Sequence, residues 1–122
     1  MSRRLAAALA LALLAAPATA TAHAFLVKSQ PARRAALGHP PARVELWFNE
    51  RLEPAYSRVS VHDAAGGRVD RGDAAVGPDD PRRLSVSLPA LVPGWYQVKF
   101  RVLSVDGHVV ESGFPFTVKP AP

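Results

Sequence analysis

Tyr96-Gln97-Val98-Lys99-Phe100-Arg101-Val102 alternates apolar and polar residues at every step. A period of two sends successive side chains to opposite faces, so this stretch predicts a strand with one face in a core and one in solvent. Leu91-Val92-Pro93-Gly94 marks a turn just upstream, and before it Leu84, Val86 and Leu88 alternate with Ser85 and Ser87 in the same way. Downstream, Asp106-Gly107 is a turn signal and Phe114, Phe116 and Val118 form a closing strand. Pro115 has no N–H to donate and fits best at a sheet edge.

The same period recurs toward the N-terminus. Val44, Leu46 and Phe48 alternate with Glu45, Trp47 and Asn49, and Val59 and Val61 alternate with Arg58, Ser60 and His62. Phe25 to Ser29 reads as a brief first strand. Arg68 to Asp70 reads as a short return strand after the Asp63–Gly67 turn. Ala55 to Arg58, after Pro54, is at most one helical turn, and Gly72 to Pro81 is a long loop rich in Gly, Asp, Ala and Pro. About seven short strands between turn signals in one domain's length predict an all-β chain, a Greek-key β-sandwich.

Residues 1–22 read as a processing signal rather than as part of that domain. Arg3 and Arg4 are followed by an apolar run from Leu5 to Ala16, a break at Pro17 and small residues up to Ala22. The run is short for a membrane span, and the paired arginines carry no following twin-arginine motif. Cleavage after Ala20, Ala22 or Ala24 would each satisfy the small-x-small pattern. The cut after Ala22 leaves a domain at 23–122, exported to the periplasm or, in a host without an outer membrane, to the cell exterior.

Composition narrows the chemistry. The formal net charge of +5 falls to +3 without Arg3 and Arg4, and the remaining bases are scattered among acids. No basic stripe interleaved with aromatics suggests nucleic acid. There is no cysteine, and the single methionine is Met1. Disulfides, thiolate sites and thioether ligands are therefore excluded from 23–122.

Four histidines remain, at 23, 39, 62 and 108. His39 precedes Pro40-Pro41 in a polar loop, and His62 falls on the polar phase of its strand; both read as solvated. His23 differs, because cleavage after Ala22 gives it a free α-amine beside its own imidazole, and the two nitrogens can chelate one ion. His108 also comes with a second donor, Asp106, across Gly107. Two nitrogens, an oxygen and a nitrogen suit Cu(II), provided that the fold brings residue 23 beside residue 108. Carrying on the register of the long strand would turn Asp106 and His108 into the core, which is costly for an unpaired carboxylate. Either the strand ends near Leu103, or this end of the sandwich is an open polar rim.

His23-Ala24 with Ser29-x-Pro31-Ala32 resembles the mature start of the CopC-type periplasmic copper-resistance proteins. Val44-x-Leu46-x-Phe48-x-Glu50, Leu91-x-Pro93-Gly94-x-Tyr96-x-Val98, Arg101-Val102-x-Ser104-x-Asp106-Gly107-His108 and Gly113-Phe114-x-Phe116-x-Val118 are similar to that family too, in its order. The resemblance implies a cupredoxin- or immunoglobulin-like sandwich that carries or stores Cu(II), one ion per chain. The implied ligands are the amine and imidazole of His23, then Asp106 and His108, with Glu50 as a nearby acid. It also implies a monomer that is not an enzyme and that exchanges copper with a membrane transporter in trans. Family members with a separate Cu(I) site carry a methionine-rich stretch; Ala64 to Pro81 has none, so the chain looks like the Cu(II)-only form. Because the amine must lose its proton, binding should weaken as pH falls.

Two other classes compete. Two histidines and an N-terminal amine resemble the histidine brace of copper monooxygenases, against which stands Asp106, a carboxylate where oxygen would bind. A metal-free structural sandwich would use Asp106-Gly107 only as a turn.

Overall fold

The computed structural model describes residues 24–122; the leader read at 1–22 and His23 lie outside the described residues. Eight strands follow in order: β1 (Leu26–Gln30), β2 (Ala36–Leu37), β3 (Arg43–Phe48), β4 (Arg58–Asp63), β5 (Ala75–Val76), β6 (Arg83–Ser87), β7 (Gly94–Leu103) and β8 (Val109–Val118). They form two four-stranded sheets, ordered β1-β3-β6-β5 and β2-β8-β7-β4. The chain changes sheet at each of its first four connections and again between β6 and β7. Only β5–β6 and β7–β8 stay within one sheet. Each crossing carries an apolar face from one layer to the other, which is how an all-β chain of this length closes a core.

The period-two readings decide what that core contains. Tyr96, Val98, Phe100 and Val102 of β7 are buried with Phe114, Phe116 and Val118 of β8 and Val59 and Val61 of β4. Facing them are Val44, Leu46 and Phe48 of β3 and Leu84 and Val86 of β6. Phe48 meets Phe100 across the two sheets edge-to-face, centroids 5.4 Å apart, and Tyr96 stacks on Phe116 at the same distance. Each such side chain contributes roughly 1.5–3 kcal/mol by leaving water. The Tyr96 hydroxyl donates to the Val92 carbonyl at 2.5 Å, tying the turn before β7 to the core. Burial, with the nearby Asp63 charge, pushes that phenol up from its ordinary range.

The differences from the sequence reading have local causes. Arg68 to Asp70 makes no strand, only a single bridge between His62 and Arg68. In its place the Asp70 carboxylate accepts the Val61 amide at 2.9 Å and the Gly72 amide at 2.8 Å, while Val69 donates to the Val61 carbonyl. A side chain thus takes the role of a neighbouring strand's carbonyl and covers the exposed edge of β4. Two-residue strands have no readable period, so β2 and β5, the latter inside the expected 72–81 loop, were not expected. The helical turn is a 3₁₀ turn at Pro54–Tyr56. β8 begins at Val109, well ahead of the Phe114 at which the alternation becomes readable, because β7 offers a matching ladder along its whole length.

Pro115 lies in β8, which β2 and β7 flank, so by strand order it is not on an edge strand. Its carbonyl accepts from Arg34 on the β2 side. The N and O of one strand residue leave by the same edge, so the missing N–H faces that side too, ahead of the first β2–β8 pair, Ala36↔Thr117. No ladder bond is lost. Gly113 is required for a different reason: a Cβ there would run into the Val98 carbonyl oxygen of β7.

The Asp70 side chain is fully shielded and pairs with Arg68 at 2.9 Å. Burial pushes its carboxyl up, but the Arg68 guanidinium and the amides of Val61 and Gly72 outweigh this and hold it below the usual range. A carboxyl depressed on folding contributes stability above its unfolded value and loses it as pH falls. Asp70→Asn should therefore cost about 1–3 kcal/mol at neutral pH, with the gap to the parent closing below about pH 4; urea melts across pH would show it, and a pH-independent gap contradicts the assignment. Tyr96→Phe should lower stability by about 0.5–1.5 kcal/mol in thermal unfolding with the fold unchanged.

Candidate metal centre

The last ladder pair between β7 and β8 is Leu103↔Val109, so β7 ends where the core-facing phase runs out of apolar residues. Ser104 keeps the register and is buried, bridged to Leu52 on the neighbouring segment. Val105 to Gly107 then turn in solvent. Both sequence alternatives are met at once: the strand stops and the rim beyond it is polar.

The turn is closed from Ser104. Its amide donates to the His108 carbonyl at 3.0 Å, its carbonyl accepts the Gly107 amide at 2.9 Å, and its hydroxyl oxygen accepts the His108 amide at 3.3 Å. The same hydroxyl donates to Asp106 Oδ1. Gly107 has φ 93°, a left-handed conformation that side chains disfavour, and this bend folds Asp106 back toward His108. Asp106 Oδ2 lies 3.3 Å from His108 Nδ1, each side chain about one-third exposed. The Ser104 hydroxyl, aided by His108, holds the Asp106 carboxyl below its usual range against an upward push from burial that is smaller than the Ser104 contribution. An ionised carboxylate and an imidazole therefore stand side by side at the surface, both able to ligate a borderline cation.

Among the described residues no group of three or more His, Asp or Glu gathers that could hold a metal. Two donors do not complete a coordination sphere, so a metal held here would need donors from elsewhere. The segment after β3 runs along this rim: Asn49 Oδ1 accepts the Phe25 amide at 2.7 Å, and the Asn49 amide donates to the Phe25 carbonyl at 3.2 Å. Two residues on, the Arg51 carbonyl accepts the Val105 amide at 3.0 Å, and the Glu53 amide donates to Leu103. The start of the described chain and the Asp106–His108 turn are thus fastened to one five-residue segment, with Ala24 buried next to the fastening point.

Glu50 lies in that segment, half-buried, and forms no ion pair or hydrogen bond with Asp106 or His108 among the described residues. His39 is exposed in its loop, and His62 is half-buried on the outward face of β4, where Ser60 Oγ meets its Nε2 at 2.9 Å. Neither approaches the turn. Sequence reasoning did not single out Asn49 or assign the positioning role of Ser104. Ser104 carried a signal, a polar residue on the core phase just before Asp106; Asn49 carried none, since its partner is 24 residues away.

Ser104→Ala should let the Asp106 carboxyl titrate closer to the ordinary carboxylate range, read from carboxyl carbon shifts by NMR. An unchanged titration would show that Ser104 does not govern it.

A family model described as the CopC domain matches residues 26–119. The crystal structure of CopC from Methylosinus trichosporium OB3b superposes with a TM-score of 0.73 at 42% identity, over 82% of this chain and 97% of that one. PcoC, titled a methionine-rich copper resistance protein from Escherichia coli, gives 0.70 at 28% identity, over 80% of this chain and 100% of that one. The copper transport protein CutJ of Bacillus subtilis is 34% identical over 106 residues, which is 86% of this chain and 20% of that protein. With the matched span running from β1 to just past β8, the chain belongs to the CopC domain family.

Proposed function

We propose that the protein binds one Cu(II) ion outside the cytoplasm and carries or stores it in copper homeostasis or resistance. The ligands in this reading are the α-amine and imidazole of His23, a carboxylate oxygen of Asp106 and the imidazole of His108. The observation that carries it is the turn closed by Ser104, which sets Asp106 and His108 3.3 Å apart on the rim segment that also fastens Phe25. In this reading His23, at most about 7 Å of chain from Phe25, reaches the turn.

The donor chemistry fits the ion. Nitrogen and carboxylate donors favour Cu(II), and residues 23–122 offer no sulfur for Cu(I), so reduction should loosen the ion. The contrast with the methionine-rich PcoC supports a Cu(II)-only form. Asp106 Oδ2 and His108 Nδ1 already stand 3.3 Å apart, so copper would take over an existing contact. Glu50 adds a second carboxylate to the rim and acts, in this reading, through the field at the site rather than by ligation.

Export, a monomeric state and exchange with a membrane copper transporter in trans complete the proposal. Support for such a partner comes from CutJ, a copper transport protein in which a region similar to this chain makes up a fifth of the polypeptide.

Intact mass of the exported protein should show His23 as its first residue. Cu(II) titration should then give a 1:1 complex with a tetragonal electron spin resonance spectrum. His108→Ala, or one residue added before His23, should weaken binding by about tenfold or more. Equal affinity of the parent and His108→Ala would sink the proposal.

A further inference from the structure

The outward face of the β4–β7–β8 sheet carries a shallow groove of about 320 Å³ that takes no part in the metal reading. Strand register builds it: Arg58 stands directly opposite Arg101, Arg101 opposite Glu111, and two rungs along, on the same face, Ser60 stands opposite Lys99. Arg101 Nε pairs with Glu111 Oε1 at 2.9 Å. Among the described residues no carboxylate lies within ion-pairing distance of Arg58 or Lys99. Like charges set opposite one another on neighbouring strands destabilise a sheet, and no packing offsets the cost here, because Arg58, Lys99 and Arg101 are all exposed. Three cations against one carboxylate in a concave surface concentrate anions from solution.

The spacing says which kind of anion fits. Arg58 and Arg101 sit on adjacent strands, and Lys99 lies about 7 Å farther along β7. Charges spread in this way match carboxylates strung along an extended chain, whereas a single phosphate needs donors that converge on one point. An anionic bilayer is flat and meets only the rim of a concave groove, whereas an extended chain can lie within it. We infer that this groove binds an acidic peptide segment of a partner protein. The Arg101–Glu111 pair lies two residues from Leu103↔Val109, the last rung before the Asp106–His108 turn, so a segment held there lies beside that turn. The inference does not depend on copper being bound.

A fluorescein-labelled deca-glutamate peptide tests it on the metal-free protein. It should bind, and more weakly as salt is added. Arg58→Glu with Lys99→Glu should weaken binding at least about tenfold. Arg71→Glu with Lys119→Glu, the same change in charge away from the groove, should change it less than about twofold. Glu111→Gln, which removes the groove's own carboxylate, should tighten binding; it decides the matter if the double reversal does not fold. Equal losses in the two double variants, no tightening with Glu111→Gln, or binding of phosphatidylglycerol vesicles or inorganic phosphate without the peptide would each overturn the inference.

Discussion

The pairing of β7 with β8 is the constraint on which the rest of the molecule depends. Its ladder runs unbroken from Gly94↔Val118 to Leu103↔Val109. One face of that ladder supplies seven buried side chains to the core. Its open end holds the two strands at a fixed separation, and Ser104 to His108 must close that gap. A turn on a loose hairpin would sample many arrangements; here the register leaves the Ser104 network as the closure, and that closure puts Asp106 against His108. The other sheet matters to this end of the sandwich through the segment after β3, which binds both Phe25 and Val105.

The proposed binding pair therefore lies where the sandwich has least to lose. A carboxylate and an imidazole cost little at a rim that is one-third exposed, whereas at Phe100 or Val102 in β7 they would sit in the core. Ser104 is the transition between the two regimes: buried like Val102, polar like Asp106, and satisfied in full by the turn that it closes. The depressed Asp106 carboxyl follows from the same hydrogen bond. Structure and site electrostatics have one origin.

Alternation made the long strands and nearly all of the core legible, because a buried face must repeat every second residue. The same rule marked the change at Ser104 but left open whether the strand ends near Leu103 or the rim beyond is polar. What alternation cannot show is pairing that rests on a partner. Val109 to Gly113 are strand because β7 lies beside them, and Arg68 to Asp70 are not because the Asp70 carboxylate satisfies the amide that a strand would have taken. Asn49 was hidden in the same way: its residue type fits the polar phase of β3, and its use is to hold a backbone far away in sequence. The basic groove was hidden too, since Arg58 and Arg101 become neighbours only through register.

The central claim is that the first residue of the exported chain and the Asp106–His108 turn hold one ion together. A crystal structure of the exported protein loaded with one equivalent of Cu(II) tests this directly. Copper is expected at the rim, bound by the His23 amine and imidazole, an Asp106 oxygen and a His108 nitrogen. Copper on His39 or His62, or on His108 without His23, would contradict it.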